Sequence, residues 1–182
     1  MPTSLVDISA VQNKDITVTF MEMNERPTTS FFVLGESRFD LLQKPISIDD
    51  YRSYYYGVGK EWQWLDRMVM PDEELAEKIN AGNTDIYLMY INGQRAGFAE
   101  FVKEDLFTEV QYFGLFPEFV GKGLGKYFLR WVINKAWSND PSRIQLNTCA
   151  FDHPHAISIY QNAGFKIVRT ETQSGRFLPA NN

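Results

Sequence analysis

Gly121, Gly123 and Gly125, spaced two apart in Val120-Gly-Lys-Gly-Leu-Gly-Lys126, are the residues best suited to binding chemistry. They follow a strand-like run from Glu109 to Phe116, closed by Pro117-Glu118. They open a helix-like run from Leu124 to Trp137. The first N–H groups of a helix have no partner within it, and the helix dipole favours negative charge there. Glycine has no Cβ, so its backbone can approach a phosphate closely. Strand, glycine turn and helix start together predict an anion site holding a pyrophosphate-bearing ligand.

Other reactive side chains give weaker signals. On a strand, Glu109, Gln111 and Phe113 share one face. An alkylamine is protonated at neutral pH and must lose a proton before it attacks a thioester, which is work for a carboxylate. Glu109 suits that role, with Gln111 beside it to orient a water or the amine. Glu100, on the preceding strand, competes with it, and a plain surface charge is the alternative. His153 and His155 flank Pro154 with no third ligand evident nearby, which points to a capping or surface role rather than to a metal, and either is an alternative to Glu109 as the base. Cys149 reads as a small buried residue. Tyr51, Tyr54, Tyr55, Tyr56, Trp62 and Trp64 crowd one region. They suit either a second core layer or the wall of an amine pocket, with Trp62 and Trp64 nearer the pocket.

The elements that must position these groups can be read along the chain. Residues 1–15 look loosely ordered, Ile16–Met23 alternates as a strand does, and 31–34 suggests a second short strand. Ser47 caps a helix through about Tyr56, which Gly57 and Gly59 end, and Pro71 starts another through about Asn80. Asn92-Gly93 between the apolar runs 85–91 and 96–103 predicts a hairpin. A strand over 108–116, the glycine turn, a helix over 121–138 and a strand over 143–151 follow. Pro154 starts a helix through Asn162, and a last strand spans 165–171. The order gives one domain, 1–182, of α/β (α+β) class: a mixed, mostly antiparallel sheet flanked by helices.

The Gly-x-Gly-x-Gly spacing, late in the chain and after antiparallel strands, does not fit the dinucleotide fingerprint. Gly125-Lys126-Tyr127 lacks the hydroxyl of a nucleotide triphosphatase loop. Gly114-Leu-Phe-Pro-Glu-Phe-Val-Gly-Lys-Gly-Leu-Gly125, followed by Ala156-Ile-Ser-Ile-Tyr-Gln-Asn-Ala-Gly-Phe165, resembles the two signatures of the GCN5-related N-acetyltransferase superfamily. The resemblance covers residues 84–172, with an acetyl-CoA-binding core. Val120 stands where that family has Arg or Gln, and His153 where it commonly has Asn. The chain runs only a few residues beyond Phe177, which leaves the family's final strand position to an N-terminal segment or to a second subunit in a homodimer.

The resemblance implies acetyl-CoA as acyl donor, with no metal. It implies donor contacts from Leu115, Phe116, Val120, Gly121, Lys122, Gly123, Leu124, Gly125, Lys126, His153 and Tyr160. It makes Glu109 the base and Tyr160 the acid that protonates the leaving thiolate, with a strand bulge near Leu115 freeing an N–H for the oxyanion. Trp62, Trp64 and Gln111 fall on the acceptor side. The expected activity is acetyl transfer to a primary amine of a small molecule, amino acid or peptide. The alternative is a non-catalytic acyl-CoA-binding or sensor module.

Composition narrows the partners. The 182 residues suffice for one buried core. A net charge of −5 with no Lys/Arg block argues against nucleic acid and anionic membranes, and it suits a cationic amine. The single cysteine excludes an internal disulfide and a cysteine zinc cluster. No apolar run approaches the roughly 18 residues of a membrane span, and the N-terminus lacks signal-peptide features. The expectation is a cytoplasmic protein.

Overall fold

The computed structural model describes residues 5–28, 31 and 33–179. Strand β1 (Gln12–Met23) follows a short 3-10 turn, and β2 (Ser37–Leu41) comes next. Helices α1 (Ile48–Gly59), α2 (Asp66–Val69) and α3 (Asp72–Asn80) precede the meander β3 (Thr84–Ile91), β4 (Gln94–Lys103) and β5 (Phe107–Leu115). Then come α4 (Leu124–Trp137), β6 (Arg143–Cys149), α5 (Ala156–Asn162) and β7 (Lys166–Phe177). Asn92 and Gly93 take φ of 50° and 77° and close the β3–β4 hairpin as that dipeptide dictates. Ser47 caps α1 by accepting from the Asp50 N–H at 3.1 Å.

The seven strands form one sheet in the order β2-β3-β4-β5-β6-β1-β7. Only the β5–β6 pair is parallel. Residues 12–15, expected to be loosely ordered, belong to β1, where Lys14 faces Gly175 and Asp15 faces Ser174. β1 lies between β6 and β7, so the N-terminal segment takes an inner position of the sheet. The same pairing carries β7 to Phe177, well past the expected end at Glu171.

Each sheet face has its own core. Met21, Met89, Phe101, Val110 and Ile144 pack under α4 through Phe128, Leu129, Val132 and Ile133. On the other face Ile86, Leu88 and Phe98 pack under α1 and α3 through Tyr51, Tyr55, Leu75 and Ile79. Each such side chain, fully buried, contributes about 1.5–3 kcal/mol of transfer free energy. Tyr51 and Tyr55 are therefore core residues, as their four-residue spacing allows. Beneath them Glu100 is fully buried, paired with the Arg67 guanidinium at 2.9 Å and accepting from the Tyr51 hydroxyl. Burial pushes the Glu100 carboxyl up while Arg67 and Tyr51 pull it back. Burial also works against the Arg67 charge, but Glu100 together with Tyr51, Tyr112 and Tyr55 outweighs it and holds Arg67 above its ordinary value.

Several boundaries differ from expectation for physical reasons. α1 runs through Gly57 because the ring of Phe116 lies against it, and a Cβ there would fall 2.7 Å from Phe116 Cε1. This glycine permits close packing rather than a stop. The second strand sits at 37–41 and pairs with β3, whereas the expected one at 31–34 includes Phe32, which lies outside the described residues. α5 begins at Ala156, since the Ala156 N–H donates to the His153 carbonyl at 2.8 Å and closes a turn through Pro154. The β4–β5 bulge falls at Gln111, opposite the Glu100–Phe101 step, and not near Leu115.

Candidate active site

β5 and β6 pair only over Phe107–Glu109 and Arg143–Gln145. Beyond this no ladder joins them, so the β6-facing peptide groups of β5 have no strand partner. A cleft of about 510 Å³ occupies the fork, lined by Val110 to Leu115 of β5 and by Leu146, Asn147 and Cys149 of β6. Ile16 and Val18 of β1 line it too, so the N-terminal strand builds the site as well as the sheet.

The glycine turn forms one end of this cleft. Gly121 and Gly123 take φ of 79° and 77°, a region costly for any residue with a Cβ. Space for at least 4 Å beyond each leaves the turn open to a ligand. Gly123 precedes α4 and no side chain caps that helix, so its first N–H groups remain available. This is the donor set a pyrophosphate requires. Leu115, Val120, Gly121, Gly125, His153 and Tyr160 line the cleft itself. Lys122, Gly123 and Lys126, beside these residues in the chain, are exposed. Phe116 and Leu124 instead pack against the core.

The expected acid and base are placed differently. Tyr160 lines the cleft from α5, its ring 6.0 Å from Phe165. Burial, reinforced by the nearby Asp152 carboxylate, raises its phenol well above the ordinary value, so the proton stays on at neutral pH. Glu109 faces a separate cavity of about 170 Å³, formed with Glu22, Gln145, Val168 and Arg169. Leu146 lines both cavities and is the wall between them. Burial raises the Glu109 carboxyl, and a hydrogen bond from Gln145 partly offsets this. Glu100, the competitor, is locked in its internal ion pair away from the cleft.

Part of the cleft wall is aromatic. Tyr55, Trp64 and Tyr112 pack mutually with centroids 4.8–5.4 Å apart, and Trp62 lies 5.3 Å from His153. Trp62, Trp64 and Gln111 all line the cleft, as does Tyr55. Burial pushes the Tyr112 phenol up to about 12. Two charged residues of the lining escaped the sequence reading: Asp152 and Arg176. Asp152 Oδ2 accepts from the Thr148 hydroxyl at 2.8 Å and the Cys149 N–H at 2.9 Å. Its Oδ1 accepts from Trp64 Nε1–H at 3.2 Å. An aspartate three and four residues after Cys149 and Thr148 is a local turn signal that was there to be found. The Trp64 contact spans 88 residues and leaves no trace in a single sequence. Asp66 of α2 is tied to Arg176 of β7 across the mouth of the cleft. Burial and Asp152 also raise the Cys149 thiol, so it is not an activated nucleophile.

The acetyltransferase (GNAT) family model matches residues 48–165, more than half of the chain, and the protein belongs to that family. A search of the curated proteins finds no match. Solved structures share the fold. A GNAT-family putative acetyltransferase from Novosphingobium aromaticivorans is 18% identical with TM-score 0.60, over 96% of this chain and 70% of its own. A GNAT family acetyltransferase from Elizabethkingia anophelis, with acetyl-CoA bound, is 19% identical with TM-score 0.55, over 75% and 80%. A conserved protein of unknown function from Staphylococcus epidermidis is 16% identical with TM-score 0.57, over 91% of this chain. The chain spans 63% of that protein's length.

Proposed function

We propose that this chain transfers an acetyl group from acetyl-CoA to a primary amine of a small molecule, amino acid or peptide. The observation that carries this reading is one cleft that joins an uncapped glycine turn to a protonated phenol, Tyr160. The acetyl-CoA bound in the Elizabethkingia relative supports the choice of donor. The first-turn N–H groups of α4 hold the pyrophosphate, and the exposed Lys122 and Lys126 offset its charge. The unpaired peptide groups of β5 face the fork, where they stabilise negative charge developing on the thioester oxygen. Tyr160 gives its proton to the departing thiolate. Glu109 takes the proton of the amine through water held in its own cavity, which adjoins the cleft at Leu146.

Glu109's position outside the cleft favours one other reading, a binding module that holds acyl-CoA without turning it over. Calorimetry of acetyl-CoA with wild type and Gly123→Asp tests the donor site common to both. The variant sets a carboxylate against the pyrophosphate at a positive-φ position, and affinity is expected to fall at least about a hundredfold. Unchanged affinity would place the donor elsewhere.

A further inference from the structure

The charges that line this cleft are mostly negative. Lys122 and Lys126 are exposed in the glycine turn and the first turn of α4, which suits an anionic donor. Asp66 and Asp152 line the cleft, and Asp152 accepts from the Trp64 indole. Arg176 is the one Lys or Arg among the described residues that line the cleft, and Asp66 already engages it. Asp152 has no cationic partner among the described residues; the titratable groups that feel its charge in the cleft are the Tyr160 phenol and the Cys149 thiol, and His153 follows it in the chain, exposed.

Asp152 is nonetheless held firmly. Three donors from Thr148, Cys149 and Trp64 fix both of its oxygens, and a carboxylate offers about four acceptor positions. One position on Oδ1 therefore stays free, next to the Trp64 indole. A fixed anion among aromatic faces is the environment that receives an ammonium by charge and by cation–π contact. A counter-ion against the reacting nitrogen itself would favour its protonated, non-nucleophilic form. The cation at Asp152 must therefore be a different group from the nitrogen that is acetylated.

We infer that the acceptor carries a second cationic group, bound by Asp152 beside the Trp64 indole, so that diamines and polyamine-like molecules are its substrate class. This rests on the acetyltransferase reading above and names the acceptor for the same cleft. Asp152 is a specificity-determining binding group here and takes no part in proton transfer.

Three acceptors of equal length isolate that second group: 1,5-diaminopentane, pentylamine and 5-aminopentanoate. Their kcat/KM is expected to fall in that order, with the diamine at least about tenfold above pentylamine. In Asp152→Asn, which keeps an oxygen to accept from the Thr148 hydroxyl and the Cys149 N–H but loses the charge, the diamine should drop to about the level of pentylamine. The acetyl-CoA KM should stay within about twofold in the variant. A diamine no better than pentylamine, or an advantage that survives in the variant, overturns the inference and leaves acetyl transfer standing. If none of the three releases thiol, the acetyltransferase reading fails for these amines, and binding still decides the inference. Quenching of tryptophan fluorescence by the diamine, weakened at least about tenfold in the variant, would uphold it. Equal quenching by diamine and pentylamine would overturn it.

Discussion

Glu109 shows how far a residue's role follows from its place. Its carboxyl lies at the closed end of the β5–β6 fork, hydrogen-bonded by Gln145, with Leu146 between it and the cleft. Burial raises its pKa, so it releases its proton at higher pH than an exposed glutamate does. A base works only when ionised. With Glu109 as the base, kcat/KM therefore falls as pH drops through this raised value, earlier than for an ordinary carboxylate. Glu109→Gln should remove that acidic limb and lower the plateau by about 10²-fold. A variant profile that overlays wild type would take Glu109 out of the reaction. At this scale the sequence was informative where chemistry is local. The glycine turn, Tyr160 and the two tryptophans all reach one cleft. Asp152 escaped because its meaning lies in three donors, one of them 88 residues away.

Elements were legible where a dipeptide or a cap decides them. Asn92-Gly93 and Ser47 act as their local chemistry requires. They were illegible where pairing decides. Nothing in Gln12–Asp15 marks a strand, yet β7 on one side recruits those residues into β1. Gly57 was read as a stop, but the Phe116 ring makes it a packing site inside α1. The inner position of β1 is itself testable. Val18–Met23 has β6 on one side and β7 on the other, while β7 is an edge strand with mostly exposed residues. Hydrogen exchange by NMR should find the Val18–Met23 amides protected at least roughly tenfold more than the outward-facing amides of β7. Equal exchange in the two strands would contradict the strand order.

Across the whole molecule, the N-terminal strand, the β5–β6 fork, α4 and α5 line one cleft, in which the account places both the donor phosphates and a cationic acceptor. Family membership and the seven-stranded sheet stand on the match over residues 48–165 and on the shared fold. The net charge of −5 fits a cationic acceptor, but only the structure shows where the unpaired negative charge falls. The central claim is that acetyl transfer occurs in this cleft with Tyr160 as the proton donor. The measurement that bears on it most directly is thiol release from acetyl-CoA with and without a diamine, in wild type and in Tyr160→Phe. The account predicts amine-dependent release by wild type. It predicts a kcat roughly 10²-fold lower in the variant with the acetyl-CoA KM nearly unchanged. Equal kcat in the two proteins, or no amine-dependent release from a wild-type sample shown to bind acetyl-CoA, would contradict it.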